Sequence, residues 1–387
     1  MSAGPPGKRR RTLAAASLAH ALHDGCTDLI YVLLPLWQTE FSLSYSALAT
    51  LRGLYAGVTA GAQVPAGRLA ERFGIRALLV LGTLLVAAGY ALAGLSGGIA
   101  GLAGAMALSG LGASTQHPLA SAAVSRAFGG GQEARGPLGT YNFAGDIGKA
   151  AIPAAMALVL TVWPWRSALF LLAGVVTLGV ACLCLLLPAA PPVRKDSASP
   201  RTGGSKGGFG LLLAIGILDS GVRMGLLTFL PFLMTAKGAG QATIGLALSL
   251  VFIGGAAGKL ICGWTAARTG IIATVMATEF ATALGILALL VLPATATLVM
   301  LPILGTVLNG TSSVLYGSVG ELAPAHRAER AFALFYSAAI GSGALSPVLY
   351  GALGDHFGVP WATAATAATA LLTLPPALAL APRFRRK

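Results

Sequence analysis

Apolar stretches long enough to cross a bilayer recur from one end of this 387-residue chain to the other. A backbone in hydrocarbon must satisfy its own hydrogen bonds, so each stretch reads as a helix. Twelve spans are expected, near residues 14–38, 44–66, 77–97, 99–122, 137–160, 166–188, 209–235, 242–264, 271–293, 297–320, 330–352 and 360–381. Hydrophobic residues make up 56% of the sequence and charged residues 10%, against about 25% charged in soluble domains. That composition excludes a soluble domain. The first stretch holds two acids and two histidines and lacks a small-residue cleavage site, so it reads as a retained span rather than a signal peptide.

The net charge of +14 invites a nucleic-acid partner, but the positions of the charges argue otherwise. With the N-terminus in the cytoplasm, twenty of the 26 Lys and Arg residues fall on cytoplasmic segments, and only Arg166 and Lys237 on the opposite side. This is the positive-inside bias, which orients a multi-pass protein. Both termini are expected to be cytoplasmic, in a bacterial inner membrane, with anionic lipid rather than nucleic acid facing the basic segments. Cys26, Cys182, Cys184 and Cys262 all sit in apolar stretches and read as small core residues, with neither a disulfide nor a metal expected.

Residues 1–13 read as a cytoplasmic tail, 14–188 as a first six-helix half, 189–208 as a Pro/Ser/Gly/Lys linker, 209–381 as a second six-helix half and 382–387 as a basic tail. The halves answer each other at an offset of about 196 residues. Leu34-Pro35-Leu36 answers Leu230-Pro231-Phe232, and GRLAERFGI from Gly67 answers GWTAARTGI from Gly263. Asp24 answers Asp219, Arg135 answers Arg330 and Tyr141 answers Tyr336. Duplication across a linker is a plan of secondary transporters, whose sites lie near the bilayer midplane where the repeats meet. The expected fold class is therefore all-α, twelve transmembrane helices in two pseudo-symmetric halves.

Ionisable groups inside such spans are costly and mark function or pairing. In the first span His20, Asp24 and Asp28 are spaced four apart and share one helical stripe. A desolvated carboxylate there can take up and release a proton, or be held by a cation such as Arg52. His20 and His23 are expected nearer the cytoplasmic interface, His20 as a relay. Span five carries Asn142, Asp146 and Lys149, where Asp146 and Lys149 either neutralise each other or let Lys149 receive an anionic ligand. Span seven repeats the idea with Asp219 and Arg223. Glu279 reads as an acid packed near Lys259 or Arg268. Uncharged candidates are Tyr31, Gln63, Gln116, Tyr141, Asn309, Tyr316 and Tyr336.

No HExxH, Gly-x-Ser-x-Gly or phosphate-cradling glycine motif is found, so neither an enzyme nor an ATP-driven pump is expected, and no cofactor. An ion gradient remains as the energy source. A membrane enzyme or a non-transporting sensor stays as the reading of another class, although a sensor usually adds a soluble output domain.

The loop Gly67-Arg-Leu-Ala-Glu71-Arg72-Phe-Gly74-Ile-Arg76 resembles the signature between spans two and three of the major facilitator superfamily, with Glu71 for Asp and Ile75 for a basic residue. The resemblance implies a conformational switch at Gly67, Glu71, Arg72, Gly74 and Arg76. Within that superfamily SLAHALHD from Ser17, PLWQTEFSLSYSALATL from Pro35 and QHPLASAAVSR from Gln116 resemble the fosmidomycin-resistance group of efflux proteins. Taken with the intramembrane charges, this implies a monomeric secondary transporter for a small molecule, most simply a proton-coupled exporter. Asp24, Asp28, His20 and Asp219 then carry protons. Arg52, Gln116, His117, Asn142, Asp146, Lys149, Arg223, Asn309 and Tyr316 face the substrate. Lys149 and Arg223 also fit the rival reading, proton-coupled uptake of an organic anion.

Overall fold

The computed structural model describes residues 5–129, 133–188, 208–322 and 328–384. Most of the linker and the ends of both tails, with Arg194, Lys195, Arg201 and Lys206, lie outside the described residues. The first half comprises α1 (Pro6–Phe41), α2 (Tyr45–Phe73), α3 (Ile75–Leu95), α4 (Ile99–Ala113), α5 (Gln116–Ala127), α6 (Arg135–Val159) and α7 (Trp165–Leu186). The second comprises α8 (Phe209–Ala236), α9 (Gln241–Thr269), α10 (Ile271–Val291), α11 (Ala294–Leu322), α12 (Ala328–Phe357), α13 (Val359–Leu371) and α14 (Leu374–Phe384). Among the described residues, eight helical stretches, with α13 and α14 as far as Arg383 counted as one, are long and apolar enough to cross a membrane by length and composition. Outside that group, α1 carries the His/Asp stripe and α6 carries Asp146 and Lys149. Two expected single spans are each divided into two helices. Pro118 has no N–H to give the Ser114 carbonyl, which interrupts span four between α4 and α5. Pro375 and Pro376 do the same before α14.

The duplication is visible in the backbone. Helices α2 and α9 are both 29 residues long, and α3 and α10 both 21, each pair displaced by 196. Gly74 (φ 85°) and Gly270 (φ 91°) make the same left-handed entry to α3 and α10, where a Cβ would be strained. Ser42 (φ 50°) stands where the second half has Gly238 (φ 80°).

The chain forms two compact units, one from Met1–Phe41 with Leu54–Asp196, the other from Ser42–Gly53 with Ser197–Lys387. The start of α2 thus belongs with the second unit. Asp355, at the end of α12, accepts the backbone N–H groups of Tyr45 at 2.6 Å and Ser46 at 3.2 Å. It caps the first turn of α2, where the helix leaves N–H groups without partners. Tyr45 packs on Phe232 with ring centroids 5.1 Å apart. In the first unit Arg166 donates to Glu40 at 2.6 Å and holds that carboxyl below the usual carboxylate range.

Glycine sets the helix contacts. A Cβ on Gly148 of α6 would collide with the Ala21 carbonyl of α1, and one on Gly25 would lie 2.7 Å from the Gly148 carbonyl. Between α9 and α11, a Cβ on Gly254, Gly258 or Gly305 would likewise strike a facing carbonyl. In membranes, where lipid competes for apolar surface, small residues that let backbones approach supply much of the packing. Gly148→Ala is expected to destabilise the protein by about 1–3 kcal/mol. Gly139→Ala, whose Cβ meets nothing within 4 Å on the same helix, should be neutral or stabilising. Thermal unfolding of the two purified variants checks this; equal effects would refute the contact.

Candidate functional site

Helix α1 places His20, His23 and Asp24 at i, i+3 and i+4, all within the first unit's interior at 4%, 5% and 6% exposure. The two histidines are therefore enclosed by protein. Opposite them α6 presents Tyr141, Gly145 and Lys149, again four apart. Gly145 is the space in which the site is built, since a Cβ there would lie 2.7 Å from His20 and 2.8 Å from Asp24. With α1 and α6 this close, Lys149 Nζ reaches Asp24 Oδ2 at 3.4 Å. From α5 His117, released by the break before Pro118, brings Nε2 to 3.6 Å from Asp24 Oδ1. His23 Nε2 lies 3.8 Å from the same oxygen. Asp24 is thus a single acid ringed by three imidazoles and an ammonium.

The position of one proton follows from the partners of His20. Its Nδ1 lies 2.9 Å from the Tyr141 carbonyl, which can only accept, so Nδ1 donates. Its Nε2 faces Asp24 Oδ2 at 3.3 Å. The ring is clamped by stacking on Tyr141, with centroids 4.1 Å apart. The side chains of His117 and Lys149 are 40% and 33% exposed, so the ring opens on their side. His20, Asp24 and His117 offer ligand atoms within 4.8 Å of one another, a spacing a divalent ion can use. The ammonium beside the same carboxylate opposes a second cation there.

The second unit holds a related cluster at the repeat position. Asp219 of α8 is 4% exposed, accepts Ser312 Oγ at 2.8 Å and faces Arg223 at 3.6 Å. Glu279 of α10, expected near Lys259 or Arg268, is 2% exposed and instead lies close enough to Asp219 for the two carboxyl groups to interact. Arg268 stacks on Trp264 at 3.7 Å. Glu279 Oε2 has no hydrogen-bond partner among the described residues. Nothing in the spacing of the sequence pointed to this pair, because α10 and α8 are brought together only by the bundle.

Other candidates scatter. Gln116 is 1% exposed and donates to Thr83 at 2.9 Å, a tie between α5 and α3. Asn309 donates to Gly305 in its own helix at 3.2 Å, and Tyr316 packs against Phe335 at 5.0 Å. Asp28 and Arg52 are both buried, at 6% and 8% exposure. Asn142 is exposed and Asp146 half-buried on α6. The stretch expected as a loop from Gly67 is helical to Phe73: Glu71 and Arg72 are exposed in the last turn of α2, only Gly74 turns the chain, and Arg76 at the start of α3 donates to the Cys184 carbonyl at 2.5 Å.

A sequence model described as the Major Facilitator Superfamily matches residues 16–208 and 211–387. The chain belongs to the Major Facilitator Superfamily. It is a membrane transporter and not an enzyme. Among relatives, this superfamily member is 30% identical over 118 residues to the Fosmidomycin resistance protein of Escherichia coli (strain K12), covering 30% of this chain and 29% of that one. It is 28% identical over 281 residues to Monocarboxylate transporter 11 of Homo sapiens, covering 68% of this chain and 58% of that one. The matches thus span less than two thirds of either relative. Its fold superimposes on a bacterial homolog of the human lysosomal transporter Spinster, inward-facing and unoccupied, with a TM-score of 0.82, 15% identity and 98% of both chains covered. A POT family transporter in complex with 5-aminolevulinic acid gives 0.77 at 12% identity, covering 97% of both. At these identities the two structures show the fold of the superfamily.

Proposed function

We propose that this transporter is proton-coupled and that the ring around Asp24 is where coupling takes place. The observation that carries the reading is the ion pair between buried Asp24 and Lys149, with His20 and His117 on the same carboxylate. Protonating Asp24 releases Lys149 and the imidazoles; losing that proton recaptures them. A transport cycle needs such a group, whose charge changes with the side it faces. Export of a small molecule is the first reading, supported by the likeness of part of the chain to the Fosmidomycin resistance protein. The ring favours a second reading: four basic groups surround one acid, so an anion binds best when Asp24 is protonated. Ligand and proton then move together, as in uptake of an organic anion. The protein is taken to work as a monomer in the inner membrane with both termini cytoplasmic. Active periplasmic phosphatase fused at Lys387 would refute that orientation.

Proteoliposomes containing a pH-sensitive dye separate the readings. Fosmidomycin or a panel of monocarboxylates is added outside, with no imposed gradient. Export by exchange predicts protons leaving the lumen as ligand enters; cotransport predicts protons entering with it. Ligand movement with no proton movement in either direction would end the proton-coupled reading.

A further inference from the structure

At the end of the first unit where α1 begins, a cavity of about 200 Å³ opens between α1, α5, α3 and the end of α7. Lys8, Arg9, Arg76 and Arg126 line it, and among the described residues the lining includes no Asp or Glu. Ile75 and Leu187 form an apolar wall beside those four cations. Arg76 is positioned by its bond to the Cys184 carbonyl at 2.5 Å, and Arg9 lies over the Phe128 ring at 5.9 Å. Thr12, 5% exposed, fixes the first turn by donating to the Lys8 carbonyl at 2.9 Å. Burial lowers the Arg126 guanidinium below its ordinary value. Four converging cations on ordered helices, walled on one side by hydrocarbon, suit a phosphate group attached to something apolar. A mobile chloride would use neither the guanidinium forks nor the wall.

We propose that this cavity binds a phosphate group, as the headgroup of an anionic phospholipid whose acyl chain follows the apolar wall. Guanidinium forks match phosphate oxygens bidentately, and basic pockets between helices at the cytoplasmic face are built to take such headgroups. The site lies outside the ring around Asp24 and does not depend on the coupling proposed for it. A seated lipid ties the start of α1 to α3, α5 and α7, so the helix that carries the Asp24 ring is anchored at its first turn.

The test uses the full-length protein in neutral detergent, titrated separately with phosphatidylglycerol, phosphatidylcholine and inorganic phosphate. Bound lipid is counted by native mass spectrometry, and phosphate by its competition with the lipid. Phosphatidylglycerol is expected to bind at least about tenfold more tightly than phosphatidylcholine. At about 1 kcal/mol per basic residue, Lys8→Gln/Arg126→Gln should weaken it about 30-fold. Inorganic phosphate that competes at comparable concentrations would support the phosphate site and identify its natural ligand as a free phosphate. Lys8→Glu, at the exposed start of α1, guards against a folding artefact and should also weaken binding. Equal retention of the two lipids, or unchanged retention in Lys8→Glu and the double variant, would overturn the proposal.

Discussion

Asp24→Asn is expected to abolish gradient-driven transport while leaving ligand exchange across the membrane. Asn keeps the size of the side chain and fixes it in the neutral form, so the ring is held as though permanently protonated. Exchange needs no net proton movement and survives; accumulation against a gradient needs a group that loads and unloads, and fails. The variant also removes the carboxylate charge that lies 3.4 Å from the Lys149 ammonium. An uncompensated, fully buried charge costs about 3–5 kcal/mol, but the Lys149 side chain is 33% exposed and water screens it, so about 1–2 kcal/mol is expected. The measurement is paired, driven uptake and gradient-free exchange in the same proteoliposomes. Driven transport that persists with an unchanged pH dependence would remove Asp24 from the coupling site.

The companion experiment asks what Lys149 is for. Lys149→Met alone leaves Asp24 with imidazoles only and should lower the melting temperature. Asp24→Asn/Lys149→Met removes both charges, and should recover most of the stability lost by either single change. If Lys149 also receives an anionic ligand, the double variant will fold well and bind none, which ligand-induced thermal shift can read. A double variant that folds and accumulates ligand normally would mean that neither side chain belongs to the transport machinery. Lys149 is near Asp146 in sequence as well, so Asp146→Asn serves as the comparison; it should leave the pairing of Lys149 with Asp24 intact.

Much of this was legible in the residues before any coordinates. His20 and Asp24 are four apart on a helix, so their shared stripe needed only the helical period. Asp24 and Asp219, Gly74 and Gly270 follow from the repeat, and the backbone angles agree at the glycines. The break before Pro118 was not read, since span four was taken as continuous over 99–122, although a proline inside a helix removes a bond the turn before it requires. What the spacing could not supply was the partner of Lys149. Its proximity to Asp24 depends on Gly25, Gly145 and Gly148 allowing α1 and α6 to touch, a property of two facing surfaces rather than of either stretch. Glu279 was singled out, but its neighbour Asp219 was not foreseen, for the same reason. One acid in an apolar helix gives no clue to the carboxyl that meets it from another helix, and its neighbours Lys259 and Arg268 were the wrong guide.

The grouping of residues 42–53 with the second unit has a practical meaning for anyone who divides this protein. The linker looks like the natural place to cut, and expressing the halves as separate polypeptides is a common way to study a duplicated transporter. A fragment ending at the linker would carry the Tyr45 turn away from Asp355 and Phe232, leaving an uncapped helix start on one piece and an unsatisfied carboxylate on the other. The two polypeptides would then have to be made together in one membrane, because each holds something the other needs to finish folding.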